Sequence, residues 1–280
     1  MENSIYNFVT IDVEEWFDAE IPRRRLISEP KHLTEIEAQL DIFLSICKEY
    51  TIEATCFVTG KLAERKPHLV RKLADHGHEI ASHSYGHKMV CSMSPDEFRQ
   101  DIHRSIAVLE DVVGDKVKGY RAPSWSINAN IKNWFYGVLT EEGILYSSSV
   151  YPAKSILYGM PSAPKYIHKV QDCNIIEIPQ QLLNLGFGKL GFAGGAYLRL
   201  FPTWFIKEMI YVKNRNGLNV FLYMHPWELK YERYPVKLSI FENVLQYYGV
   251  RNNLYKIRDI CNAIKSTIIR MDVFAHRFES

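Results

Sequence analysis

The chain lacks the features that would set it apart from ordinary globular proteins. No hydrophobic run approaches the ~18 consecutive apolar residues of a membrane-spanning helix. Cysteine is scarce: five in 280 residues, at 47, 56, 91, 173 and 261, with no CxxC pair. A disulfide framework and a thiolate zinc site are disfavoured, and thiols acting as small buried hydrophobes in a reducing compartment fit better. Excess positive charge is missing too, since 34 Lys and Arg against 32 Asp and Glu leave a formal +2. Arg23-Arg24-Arg25 is the only cationic cluster, so no nucleic-acid partner is expected. Without repeats, low-complexity tracts or Gly/Ser/Pro-rich linkers, residues 1–280 read as one domain, with 252–280 as a C-terminal helix and tail. The opening MENSIYNFVTID has neither the cationic nor the apolar stretch of an export signal, which sets the expectation of a cytoplasmic protein. Oligomeric state leaves no mark.

What is present is a serial alternation of strand and helix. Hydrophobic residues make up 47% and charged residues 24%, as in soluble globular domains. Residues 6–13, 53–58, 78–82, 118–121, 145–149, 175–178 and 219–224 read as strands. Helical spacing marks 34–50, 62–76, 95–113, 130–142, 202–216 and 252–267. Ser94-Pro95 with Glu97 is a capping-box start, and Gly77 is a C-cap. Such alternation argues for a mostly parallel sheet and makes a barrel plausible, with chemistry at the carboxyl ends of its strands.

Four strand ends carry candidate groups. Asp12 and Glu14 flank Val13, so in an extended segment both project to one side, ~7 Å apart. They suit one metal ligand plus one base, or merely an acidic strand-to-loop transition. His83 and His87 in His83-Ser84-Tyr85-Gly86-His87 converge on one cation if the segment between them makes a helical turn. His225, at the end of the apolar run Leu222-Tyr223-Met224 and before Pro226, would sit at a rim; its alternative is a satisfied core histidine. Arg121, before Ala122-Pro123, pairs with any nearby acid. Together these groups amount to two imidazoles and a carboxylate for a cation, plus a second carboxylate, a lone His and an Arg as base, acid and orienter.

The ordered motifs TIDVE, HSYGH, YRAPSW, YSSSVYP and LYMHPW resemble those of the polysaccharide deacetylases of carbohydrate esterase family 4, the NodB-homology fold. The likeness covers roughly residues 5 to 260. It looks closest to the exopolysaccharide-cluster branch with a DVE first motif, an HPWE segment and a stretch like Gly194–Pro202. The resemblance implies an α/β fold of the distorted (β/α)-barrel type, commonly seven-stranded. It also implies a divalent metal, Zn²⁺ foremost with Co²⁺ or Ni²⁺ as alternatives, held by Glu14, His83 and His87. Asp12 becomes the base, Arg121 its partner and His225 the general acid. Two positions depart from the family. The usual TFDDG motif is Thr10-Ile11-Asp12-Val13-Glu14, which leaves a swap of the Asp12 and Glu14 roles open. The acid that orients the catalytic His is replaced in Tyr146-Ser147-Ser148.

The activity implied is hydrolysis of the N-acetyl group of an amino sugar, with an N-acetylated saccharide as the binding partner. Trp125, Tyr223 and Trp227 would wall the sugar site or simply pack the core, and a backbone N–H near Tyr146 would help hold the oxyanion. Two alternatives stand beside this: an amidohydrolase of the same superfamily acting on a cyclic-amide or purine-pathway substrate, and a non-catalytic sugar-binding homologue.

Overall fold

The computed structural model describes residues 5–27, 30, 35–154, 159–184, 186 and 188–279. Its strands are β1 (Phe8–Val13), β2 (Thr55–Val58), β3 (Glu79–Ser82), β4 (Gly119–Tyr120), β5 (Tyr146–Ser147), β6 (His168–Lys169), β7 (Ile176–Glu177), β8 (Leu183–Asn184), β9 (Lys189–Leu190) and β10 (Phe221–Met224). Eight form one sheet in the order β10-β1-β2-β3-β4-β5-β7-β6, and β8 pairs only with β9. From β10 to β7 every pairing is parallel, while β6 runs antiparallel to β7. The sheet therefore ends at β10 and β6, and the fold is a curled eight-stranded α/β sheet where a seven-stranded barrel is expected. The physical reason lies in the far half: strands of two residues make few ladder bonds, and an antiparallel edge strand turns away from the parallel winding.

Every residue of β1 is buried, as in a parallel sheet covered on both faces. Side-chain alternation divides it. Val9, Ile11 and Val13 join Cys56 and Val58 and the helices in the large outer core. Phe8 packs with Phe57, Ala81, Tyr146, Phe221 and Tyr223 on the inner face. The register carries this parity from strand to strand: Asp12 is level with Phe57 and Phe57 with Ala81, while Thr10 is level with Tyr223. Two residues onward along each strand, the same inner face reaches Glu14, His83 and His225 at the carboxyl ends.

The helices follow the sequence pattern with instructive departures. Pro95–Val113 starts at the expected capping box and stops at left-handed Gly114. The helix expected over 62–76 is two, Gly60–Arg65 and Pro67–Asp75, separated at Lys66 (φ −136°, ψ 57°). A residue before proline is pushed out of the helical region, and Pro67 itself starts a helix well. Helix Ile36–Tyr50 falls within the expected 34–50; Thr34 lies outside the described residues. The segment expected to be a tail folds into helix Met271–Glu279, with Met271 and Ala275 fully buried.

Candidate active site

Sheet parity delivers Asp12, Glu14, His83, Arg121 and His225 to one mouth, where a cavity of about 330 Å³ is lined by Asp12, Glu14, His83, His87, Trp125, Tyr223, His225 and Trp227. His87 arrives differently. The HSYGH segment makes a tight turn in place of the expected helical one, with Ser84 (φ 67°) and His87 (φ 54°) both left-handed. Ser84 Oγ accepts the His87 N–H at 3.0 Å, and Asp101 Oδ2 accepts the Tyr85 N–H at 2.8 Å. A non-glycine residue at positive φ is costly and persists where its surroundings over-determine it. Here the helix Pro95–Val113 supplies them, through Asp101 and through Ser105 Oγ, which donates to Ser84 O.

Three donors meet inside. Glu14 Oε2 lies 2.5 Å from His87 Nε2 and 3.6 Å from His83 Nε2. One ligand atom from each of Glu14, His83 and His87 falls within 4.8 Å of the others, and all three side chains are buried. His83 Nδ1 donates to Arg121 O at 2.8 Å, which turns the Nε2 lone pair toward Glu14. Burial pushes the His83 imidazole down to about 4, so it stands neutral, as a ligand must. Among the described residues, the groups in ion-pair range of Glu14 are imidazoles, those of His83, His87 and His225. A buried carboxylate faced by imidazoles, with one ring already oriented, fits a divalent cation.

Asp12 is held differently. Arg121 Nη1 donates to Asp12 Oδ1 at 2.6 Å and to Thr10 Oγ1 at 3.0 Å, while Nη2 donates to Ser148 Oγ at 3.2 Å. The guanidinium is fully buried and stacks 3.9 Å over the Phe57 ring. Burial works against an ionised Asp12, but the charge and hydrogen bond of Arg121, together with the imidazoles of His83 and His225, outweigh it and hold the carboxyl below its usual range.

His225 points Nε2 toward both acids, 4.0 Å from Asp12 Oδ2 and 3.8 Å from Glu14 Oε1. Its other nitrogen answers the departure at Ser147. Nδ1 donates to Glu228 Oε2 at 3.0 Å, and the His225 backbone N–H donates to the same oxygen at 3.1 Å. Glu228 Oε1 in turn accepts from Arg199 Nε at 2.9 Å. Burial disfavours the imidazolium, yet the hydrogen bond and charge of Glu228, with Glu14 and Asp12 behind it, raise His225 to about 9. Neither Glu228 nor Arg199 was among the residues the sequence suggested. The signal for Glu228 was its place three residues after His225, the spacing of one short helical turn, here Pro226–Glu228.

The expected walls divide. Trp125 and Tyr223 meet edge-to-face with centroids 4.7 Å apart, and Trp227 stacks on the His225 ring at 4.5 Å. Tyr223 is seated by a bare stretch of chain: a Cβ at Gly194 would fall 2.0 Å from the Tyr223 ring. Tyr146 is not brought to the site. It lies on the inner face one layer below Ser148, fully buried, with its hydroxyl donating to Glu79 Oε1 at 2.7 Å. The Tyr146 N–H donates to Lys118 O, and those of Ser149 and Val150 donate to Glu177 Oε1, so these three amides are already committed. Tyr146 sits deep because its strand begins lower in the sheet, in register with Gly119.

Residues 37–135 match the polysaccharide deacetylase family model, and residues 148–272 match a domain of unknown function, DUF3473. Over residues 37–135 the chain is similar to the polysaccharide deacetylases. A peptidoglycan-N-acetylglucosamine deacetylase of Bacillus cereus is 32% identical over 87 residues, 31% of this chain and 32% of that protein. The chain thus spans about a third of that curated relative's length. A candidate polysaccharide deacetylase from Mycobacterium smegmatis shares the fold (TM-score 0.65, 21% identity, 98% of this chain and 91% of that one). So does an allantoinase (TM-score 0.63, 15% identity, 98% and 89%). The deacetylase segment contributes His83, His87 and Arg121; the DUF3473 segment contributes Arg199, Tyr223, His225 and Glu228. Asp12 and Glu14 precede both.

Proposed function

We propose that this chain is a metal-dependent hydrolase that removes the N-acetyl group from an amino sugar of a polysaccharide, oligosaccharide or glycan precursor. The observation that carries the reading is the meeting, in one cavity, of the Glu14–His83–His87 donor set with two separately tuned proton-handling groups, Asp12 and His225. Bound by Glu14, His83 and His87, a divalent cation, Zn²⁺ or with the same donors Co²⁺ or Ni²⁺, supplies Lewis acidity to the acetamide and the attacking water.

The remaining work belongs to the chain. Asp12, kept ionised by Arg121, takes the water proton on Oδ2, the oxygen that Arg121 leaves open. That pairing also favours Asp12 as base and Glu14 as ligand over the reverse, because Glu14 faces imidazoles and not a guanidinium. His225 Nε2 delivers a proton to the departing amine, which would otherwise leave as a strongly basic anion. Glu228 accepts the Nδ1–H and so fixes the neutral tautomer, which leaves Nε2 as the nitrogen that takes on and gives up the proton, and Arg199 holds Glu228. Trp125, Tyr223 and Trp227 offer aromatic faces for a pyranose ring. The DVE and HPWE motifs support a substrate of exopolysaccharide assembly.

The feature behind the sugar-binding-only alternative, a missing acid in the fourth motif, is met by Glu228. Acetate release from N-acetylated chitooligosaccharides, run beside ring opening of allantoin and elemental analysis of the protein, tests the reading. Acetate release that rises with bound metal is expected. Allantoin opening, or bound metal without acetate release from any acetylated saccharide, overturns it.

A further inference from the structure

Helix Ile240–Tyr247 stands between two concavities. One side lends Leu245 and Gln246 to the catalytic cavity. The other side, with Val244 and Tyr247, faces a second groove of about 560 Å³. The two are joined at the helix end by Arg199, which grips Glu228 and also donates to the carbonyls of Leu245, Gln246 and Tyr248. The second groove therefore shares a rigid wall with the site where His225 acts.

Its lining has a definite chemistry. Tyr231 and Tyr247 are half-buried and Tyr248 is exposed, so three aromatic surfaces border the groove. Two exposed guanidiniums sit against those rings, Arg251 at 4.5 Å from the Tyr231 centroid and Arg233 at 5.8 Å from that of Tyr247. Asn252 adds an amide at the edge, and among the described residues no acidic side chain lines the groove. Aromatic faces receive the C–H faces of pyranose rings, and the planar guanidinium fork matches carboxylate and phosphate oxygens. The catalytic cavity has the opposite character, with Asp12, Glu14 and Glu228 in its lining.

We infer that this groove is a second saccharide subsite, which takes an anionic sugar unit of the same glycan whose N-acetyl group lies in the catalytic cavity. The inference rests on the deacetylase reading for the identity of the glycan, though the groove's selectivity is measurable without turnover. Negative charge on the sugar comes from a uronate carboxylate or from a phosphate, and the two are separable by probe.

The test is calorimetric binding to metal-loaded protein of three probes: neutral N-acetylchitopentaose, a hyaluronan hexasaccharide carrying carboxylates, and UDP-N-acetylglucosamine carrying a diphosphate. Tighter binding of either anionic probe than of the neutral one is expected, on the order of tenfold, and the stronger of the two identifies the source of charge. In the double variant Arg233→Gln/Arg251→Gln that preference should disappear, while acetate release from N-acetylchitopentaose stays as in the parent. Tyr248→Ala should weaken all three probes. Equal affinity for all probes, or a preference that survives the double variant, overturns the inference. So does arginine-dependent sedimentation with phosphatidylglycerol vesicles combined with arginine-independent saccharide binding, which would make the face a membrane contact. If no probe releases acetate yet the arginine-dependent preference holds, the deacetylase reading fails and the subsite stands.

Discussion

Glu228 Oε2 accepts two hydrogen bonds from one residue, the Nδ1–H and the backbone N–H of His225, at 3.0 and 3.1 Å. A single carboxylate oxygen thus sets both the ring's orientation and its charge, and Arg199 anchors the other oxygen. In this chain the imidazole is tuned from its own following turn, which leaves Ser147 free to bond Ser149 Oγ instead.

Replacing that carboxylate should expose its effect. Without the Glu228 charge, burial pushes His225 down from about 9, and a general acid works only while protonated. In Glu228→Gln the alkaline limb of the kcat profile should move to lower pH by about 1–2 units. Metal content should not change. A limb that stays in place would mean that Glu228 does not tune the acid.

The metal set and the acid should separate by mutation. His83→Ala and His87→Ala should lose bound metal and acetate release together, read by elemental analysis and a coupled acetate assay. His225→Ala should keep its metal and lose turnover by about 10²–10⁴-fold. Full acetate release in either ligand variant would end the metal assignment.

Arg121 sustains both structure and charge. In Arg121→Gln, Asp12 remains buried without its cation, so stability should fall by about 3–5 kcal/mol, measured by urea unfolding. Asp12 is held below the usual carboxylate range chiefly by Arg121 against burial, so its removal raises the carboxyl. The acid limb of kcat/KM should then shift upward, because a base works only while ionised. A stable variant with an unmoved acid limb would contradict the pairing.

Glu177 offers a test of the scaffold alone. It accepts from the Ser149 and Val150 amides and from the Tyr136 hydroxyl, and burial raises it from 4.5 to about 7. An acid raised on folding binds its proton more tightly in the native state. Its contribution is complete below the unfolded value near 4.5 and is lost as pH climbs to about 7. The loss is on the order of 3 kcal/mol. Glu177→Gln should flatten that part of the stability-against-pH curve, and parallel curves for parent and variant would refute it.

Much of this was legible before any coordinates. Alternation along an extended chain placed Asp12 and Glu14 on one side, and the same rule carried from β3 to His83 and from β10 to His225. The Ser94 capping box was written locally. The break at Lys66 was equally local, since Pro67 marked it, and a longer apolar rhythm masked it.

The residue types at the strand ends, and the inward parity of most of them, belong to the sequence by itself, because alternation is a property of the backbone over a few bonds. Which strands lie side by side is not such a property. It took sheet order and packing to bring His225 to within 4.0 Å of Asp12, to sink Tyr146 against Glu79, to leave the curled sheet unclosed between β10 and β6, and to tie Arg199 to Glu228. Those outcomes depend on contacts between segments far apart in the chain, whose burial and hydrogen bonding are settled only when the whole core closes around them.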